Sequence, residues 1–271
     1  MSETKILFTD LDGTLLNSER QISYENRLAI KKALERNHKV VIATGRPLPS
    51  AVHLVEDLGL NYEGCYAITY NGGLIYDTFQ KKAIFKTTLP LEYVNYIFDV
   101  AKENKIHCHT YSDDSVISEK LTNELEKYCN RIIVPYELVE NIHTDLVNEP
   151  VKVIMIDFTE QNKLNKIKDE LSDWCHGKIN CSFSNPFFLE FGSLKATKGN
   201  AVNYLCNYLN IPIENSIAVG DEENDISMIQ SAGIGIAMAN ATNGIKEYAD
   251  YITEHNNNNH GISEVIKKFL L

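Results

Sequence analysis

Four short, unbroken apolar runs, each stopping at a polar or glycine-bearing turn, constrain the fold of this chain more than any other feature. Ile6-Leu7-Phe8 stops at Thr9-Asp10, and Val40-Val41-Ile42-Ala43 stops at Thr44-Gly45-Arg46. Tyr66-Ala67-Ile68-Thr69 leads to Asn71-Gly72-Gly73, and Ile217-Ala218-Val219 ends at Gly220-Asp221. Runs of this length without polar alternation suit strands buried on both faces of a parallel sheet. Helical stretches separate them: Ser23 can cap a helix carrying Leu28, Ala29, Ala33 and Leu34 at helical spacing, and a second helix lies around Ser50 to Leu58. Strand alternating with helix predicts an α/β protein built on an open parallel sheet with crossover helices.

At 271 residues the chain is long for one domain, so two units or one core with a large insertion are expected. The rhythm changes after Gly73. Short strands near Leu74 to Tyr76 and Ala83 to Lys86 precede a helix over Glu92 to Glu103, with Val94, Ile97, Phe98 and Ala101 on one face. Strands at Ile106 to Tyr111 and Val116 to Ile117, a helix at Glu119 to Tyr128 and a strand at Val151 to Phe158 follow. A helix at Gln161 to Leu171 and strands near Ile179 to Phe183 and Phe187 to Phe191 complete an α+β segment. Alternation then resumes with a helix from Lys198 to Leu209. The expected organisation is a discontinuous core, residues 1–85 and 191–271, split by an inserted α+β unit, residues 86–190. The low-complexity run Asn256 to Asn259 reads as a solvated loop.

A formal charge of −11 argues against sequence-independent nucleic-acid binding, which needs lysine and arginine to neutralise phosphates. No run approaches the ~18 apolar residues of a membrane span, and no charged segment followed by an apolar stretch opens the sequence. Cys65, Cys108, Cys129, Cys175, Cys181 and Cys206 are scattered without a CxxC pair and read as reduced thiols of a cytoplasmic protein. The partner expected is a small molecule; no nucleic acid and no membrane are expected, and the chain reads as a monomer or small homo-oligomer.

In open α/β sheets ligands bind beyond the carboxyl ends of the strands, so the polar groups at these strand ends can share one crevice. Asp10 and Asp12, one residue apart at the end of a strand, are placed to converge, and converging carboxylates call for a hard cation such as Mg2+ between them or for one of them to keep its proton. Asp10 suits a nucleophile that forms an aspartyl phosphate. Asp12 suits an acid/base that protonates a leaving alkoxide and then activates water. Asp10, Asp221 and the Asp12 backbone carbonyl are the expected metal ligands. Thr44 hydroxyl and Gly45 N–H can bond a phosphate oxygen, Leu11 is a further phosphate-binding position, and Lys198 adds positive charge at a helix start, with Lys195 as its competitor. Asn224 can bond phosphate or Asp12, while Glu222 and Asp225 can orient Lys198 or metal-bound water.

Together, Asp10-Leu11-Asp12-Gly13-Thr14-Leu15-Leu16, Thr44-Gly45-Arg46, Lys198-Gly199 and Gly220-Asp221-Glu222-Glu223-Asn224-Asp225 resemble the four motifs of the haloacid dehalogenase superfamily. The spacing and the large insertion resemble its Cof-type sugar-phosphatase branch; Asn71-Gly72-Gly73 and Ala237-Met238-Ala239-Asn240-Ala241 extend the likeness. The resemblance implies a Rossmann-like core with an α/β cap and a magnesium-dependent phosphomonoesterase of small phosphorylated molecules. It also implies Asp10 as nucleophile, Asp12 as acid/base, Thr44 and Lys198 as phosphate ligands, and Asp221 as a metal ligand. A phosphomutase shares this chemistry. A phospho-acceptor signalling module shares the residue set but has no use for a base such as Asp12. Within the insertion, Tyr111 and Asp113-Asp114 read as an exposed turn, and His107 and His109, alternating on a strand without a third ligand, read as lying on an exposed face.

Overall fold

The computed structural model describes residues 3–271. In chain order it forms β1 (Ile6–Thr9), α1 (Tyr24–Glu35), β2 (Lys39–Ala43), α2 (Leu48–Asp57), β3 (Cys65–Thr69), β4 (Leu74–Asp77) and β5 (Lys82–Lys86). Then come α3 (Leu91–Glu103), β6 (His107–Tyr111), β7 (Val116–Ser118), α4 (Asn123–Ile132), β8 (Tyr136–Leu138) and α5 (Ile142–Asp145). They are followed by β9 (Lys152–Ile156), α6 (Gln161–Cys175), β10 (Ile179–Asn185) and β11 (Phe188–Ser193). The last stretch holds α7 (Lys198–Tyr208), β12 (Ser216–Gly220), α8 (Ile226–Ser231), β13 (Ile234–Ala237), α9 (Asn243–Lys246), β14 (Tyr251–Ile252) and α10 (Gly261–Phe269).

Two compact units result. Among the described residues, the first holds residues 3–45, Ala51–Phe85 and Thr197–Leu271, the second Arg46–Ser50 and Lys86–Ala196. The boundary expected between residues 190 and 191 therefore moves to Ala196/Thr197. It moves because β11 pairs on through Gly192 with Lys152 and through Ser193 with Ile179.

The first unit is built on a sheet ordered β14-β13-β12-β1-β2-β3-β4-β5. β14 to β3 run parallel, and β4 runs antiparallel to β3. β1 lies between β12 and β2, so its side chains are buried on both faces. Ile6 and Phe8 pack with Val41, Ile68 and the α7 residues Val202 and Leu205. Leu7, pointing the other way, packs with Val40, Ile42, Ile30 of α1 and Ile262 and Val265 of α10. Unbroken apolar runs are thus what a sheet covered on both sides requires. Ser23 caps α1, its Oγ accepting from Asn26 N–H at 3.3 Å. The run Asn256 to Asn259 is solvated only in part, Asn258 and Asn259 being exposed. Asn257 is buried, its Nδ2 donating to Leu16 O at 2.9 Å, because a short polar side chain can satisfy a buried loop carbonyl as well as water can.

The second unit has a sheet ordered β10-β11-β9-β6-β7-β8, antiparallel except where β7 meets β8. One face carries Cys108, Val153, Met155, Leu189 and Phe191 against Val94 and Ile97 of α3 and Leu164 and Ile167 of α6. The expected helix at 119–128 begins at Asn123 instead, because Thr122 Oγ1 accepts from Leu125 N–H at 3.2 Å and so sets its start. Strand β8 and helix α5 are too short to leave a periodic signal in the sequence.

The opposite face overturns the reading of His107, His109 and Tyr111 as exposed: all three are buried. Their strand is interior, between β9 and β7, and Tyr128 of α4 covers the face, its ring 4.6 Å from that of His109. Burial is tolerated because the polar atoms satisfy one another. Thr122 Oγ1 meets His107 Nδ1 at 2.9 Å, His107 Nε2 meets His109 Nδ1 at 2.9 Å, and His109 Nε2 meets Tyr111 Oη at 3.2 Å. Tyr111 Oη in turn meets Tyr128 Oη at 2.5 Å. Asp113, by contrast, is exposed and pairs with Lys86 at 2.8 Å.

Burial pushes His107 down to about 4, and burial, His107 and Lys152 together hold His109 well below its ordinary value. The unfolded chain then takes up protons that the folded one refuses. Stability is complete above the unfolded value of about 6.5 and declines as pH falls toward the folded value. For His107 alone the loss is on the order of 3 kcal/mol by about pH 4, and His109 adds to it with the same sign. Urea midpoints should therefore drop between about pH 7 and pH 5, and this drop should shrink in a His107→Gln, His109→Gln double variant. An equal drop in the variant would contradict the assignment.

Candidate functional site

The site is assembled where strands of the first unit end. β1 stops at Thr9, and Asp10, 7% exposed, follows with its N–H bonded to Val219 O at 3.0 Å. Lys198 opens α7, whose N-cap is Thr197, with Thr197 Oγ1 accepting from Asn200 N–H at 3.1 Å. The Lys198 side chain is fully buried, and its Nζ donates to Asp10 Oδ1 at 2.6 Å and to Asp225 Oδ1 at 2.5 Å. Lys195, the competing candidate, is exposed. Asp225 closes the turn after β12: its Oδ2 accepts from Asp221 N–H at 3.0 Å and Glu222 N–H at 3.1 Å. Glu222 caps the same turn through its side chain and is exposed.

Asp221, 7% exposed, accepts from Thr14 Oγ1 at 2.6 Å. Gly13 has φ +85°, and a Cβ there would lie 2.2 Å from Asp221 Oδ2. The glycine is needed both for its left-handed backbone and for the space the carboxylate occupies. Likewise a Cβ on Gly220 would lie 2.4 Å from Asp225 Cβ.

Asp10, Asp221 and Asp225 each bring a carboxylate oxygen within 4.8 Å of the others. One lysine among three carboxylates leaves an excess of negative charge in a buried place. Burial, together with Asp225 and Asp221, raises Asp10 well above the usual carboxylate range, although Lys198 opposes the shift. Burial also pushes Asp221 up to about 6, against the Thr14 hydrogen bond and assisted by Asp225 and Glu222. Burial alone would lower Lys198, but Asp10 and Asp225 outweigh it and hold the ammonium charged. A hard divalent cation would relieve this excess, and a donor set made wholly of oxygen fits magnesium. Asp225 is already engaged by Lys198 and two N–H groups, so the carboxylates best placed to hold an ion are Asp10 and Asp221.

Asp12 is exposed, and its carboxylate is not one of the three that come within 4.8 Å of one another. Strand β1 ends at Thr9, and Asp12 enters the turn at Gly13. Leu11 is fully buried in the apolar core, which leaves only its backbone to serve a phosphate.

Thr44, 2% exposed, is held by its N–H on Ile68 O at 2.8 Å, and its carbonyl accepts from Asn71 N–H at 3.1 Å. Asn71, left-handed at φ 55°, also accepts from Asn224 Nδ2 at 3.2 Å. Its neighbour Gly72, at φ +102°, has no room for a Cβ, which would sit 2.2 Å from Thr197 O. Thr14, Asn71 and Asn240, whose Nδ2 donates to Gly13 O at 2.8 Å, have no place among the residues expected to do chemistry. The Asn-Gly pair at 71–72 signals a left-handed turn; Thr14 and Asn240 fall within stretches that carry the resemblance, but nothing local marks their contacts, because their partners Asp221 and Gly13 are distant in sequence.

Comparison with known proteins identifies the family of the chain. Residues 7–266 match the family of haloacid dehalogenase-like hydrolases. The chain is 32% identical to 5-amino-6-(5-phospho-D-ribitylamino)uracil phosphatase YcsE of Bacillus subtilis, over 99% of this chain and 97% of that one. It is 30% identical to phosphatase YwpJ of the same organism, over 98% and 100%. The crystal structure of a haloacid dehalogenase-like hydrolase from Bacteroides thetaiotaomicron matches with a TM-score of 0.90 at 32% identity, over 98% of this chain and 99% of that one.

Gly13→Ala tests the close approach at Asp221. Strain at a left-handed position costs about 1–3 kcal/mol, and Asp221 must also move. A lower melting temperature together with a loss of phosphate-releasing activity of roughly a hundredfold is expected. Wild-type activity and stability in the variant would contradict the geometry.

Proposed function

The chain belongs to the haloacid dehalogenase-like hydrolase family, and we propose that it is a magnesium-dependent phosphomonoesterase of sugar phosphates or similar small phosphorylated metabolites, working through an aspartyl phosphate on Asp10. The observation that carries this reading is the buried Lys198 ammonium, 2.6 Å from Asp10 Oδ1, beside Asp221 at one edge of a parallel sheet. A carboxylate cannot approach a phosphate dianion unless positive charge stands close by, and Lys198 supplies it.

In the first step an Asp10 oxygen bonds to phosphorus as the ester P–O bond breaks, and Asp12 gives its proton to the departing alkoxide. In the second, Asp12 takes a proton from water as that water's oxygen bonds to phosphorus, and the Asp10 P–O bond breaks to free inorganic phosphate. The exposure of Asp12 suits this role, since it must reach both the leaving oxygen and solvent. Thr44 hydroxyl, Gly45 N–H, the Leu11 backbone and Lys198 hold the phosphate oxygens, and Asn224 flanks them from its contact with Asn71. Asp10, Asp221 and the Asp12 carbonyl would hold magnesium, which when bound neutralises charge on both the phosphate and the carboxylates. Asp225 anchors Lys198.

The name of the relative YcsE specifies a phosphate ester of a ribityl chain, which favours primary phosphates of sugars and sugar alcohols as substrates here. The test is phosphate release from p-nitrophenyl phosphate and a panel of such esters, with magnesium and with chelator. Activity should vanish with chelator and return with magnesium, and Asp10→Asn should lose roughly a thousandfold or more. Acid-quenched wild type should carry a phosphoryl group on Asp10. An Asp10→Asn protein as active as wild type would sink the proposal.

A further inference from the structure

The run Asn256 to Asn259 and the solitary Asn240 converge on the loop that follows the two aspartates, more than two hundred residues away in sequence. Asn240 Nδ2 donates to Gly13 O at 2.8 Å, and Asn240 Oδ1 accepts from Asn257 N–H at 3.0 Å. Asn257 Nδ2 donates to Leu16 O at 2.9 Å, and Asn258 Oδ1 accepts from Ser18 N–H at 2.9 Å. Asn256 organises the turn itself: its Oδ1 accepts from Asn258 N–H at 3.0 Å and its carbonyl from Gly261 N–H at 3.1 Å. The loop is thereby gripped at its start, middle and end.

We infer that Asn240 and Asn257 are positioning residues for Asp12, a clamp that fixes the Gly13–Ser18 loop so that the Asp12 carboxylate is held where it can protonate the leaving group. The inference rests on the reading of Asp12 as the acid. Gly13 O lies one peptide beyond Asp12, and Gly13, lacking a side chain, is the point at which that backbone is freest to rotate. Tying its carbonyl removes this freedom. Asparagine suits the task because one short side chain offers both a donor and an acceptor, which Asn240 uses together. Asn240 is exposed and touches the loop rather than the core, so its replacement can loosen the loop without opening a cavity.

The leaving group separates a positioning role from a merely structural one. Nitrophenolate departs without a proton, whereas an alkoxide needs one, and kcat/KM reports only steps up to formation of the aspartyl phosphate. In Asn240→Ala, kcat/KM for the alkyl phosphate that wild type turns over fastest should fall roughly tenfold or more, while p-nitrophenyl phosphate should lose less than about threefold. Asn257→Ala should show the same split. Asn240→Asp, which keeps the acceptor but loses the donor to Gly13, should resemble Asn240→Ala.

Amide hydrogen exchange over Gly13–Ser18, faster in each variant than in wild type, provides a readout that does not depend on turnover. Equal losses on both substrates, no loss on either, or unchanged exchange in folded Asn240→Ala would overturn the clamp. Failure of the phosphatase reading would appear elsewhere, as an inactive wild type or an active Asp10→Asn. The exchange comparison would still decide whether the asparagines hold the loop.

Discussion

Three segments of the first unit meet at the Lys198 ammonium, lodged between Asp10 and Asp225. The lysine comes from the start of α7, Asp10 from the end of β1 and Asp225 from the turn after β12, so one cation joins a helix to two strand ends. Burying charge is costly unless geometry and hydrogen bonding are both good. Here Asp225 is saturated by Lys198 and two backbone N–H groups, and Thr197 caps the helix that presents the lysine. Removing Lys198 would leave two buried carboxylates without a counter-charge, so Asp10 and Asp225 are bound to this arrangement.

Close approach is the second constraint, and small residues make it possible. Gly199 packs against α8, where a Cβ would come 2.3 Å from Ser227 O. Gly220 admits Asp225, Gly13 admits Asp221, and Gly72 lets its turn sit against Thr197. At each place the backbone of one loop occupies space that a side chain would take. The carboxylates and the lysine can then be brought within hydrogen-bonding distance by rigid elements rather than by long, mobile side chains.

The second unit follows a different logic. Helices cover one face of its sheet with ordinary apolar packing, while the other face buries a hydrogen-bonded row from Thr122 through His107, His109 and Tyr111 to Tyr128. Lys152 and Glu190 pair at 2.9 Å, both largely buried, on the strands beside that row. Such polar rows are stable only when every member finds a partner, which ties the neutral state of the histidines to the integrity of the sheet.

The sequence by itself determined the α/β class and the existence of an inserted α+β segment, and it named Asp10, Asp12, Thr44, Lys198 with Lys195 as its competitor, Asp221 and Asp225 as one candidate group. Each is legible because it depends on local pattern: unbroken apolar runs demand a doubly covered sheet, and motifs at strand ends fall on one edge of it. What the neighbours of those residues are was decided by tertiary structure alone. Strand β1 ends at Thr9, before either aspartate, so strand alternation does not set where Asp10 and Asp12 point, and Lys198 is buried although lysines at helix starts are ordinarily solvated. His107 and His109 share a face as their spacing requires, but only the packing of α4 shows that the face is covered. The asparagines at 240 and 257 grip Gly13 and Leu16 across the length of the chain. Local sequence fixes which way a side chain points from its own strand or helix; it carries no record of what a distant segment places opposite, and it is that opposing group which sets burial, charge state and hydrogen bonding.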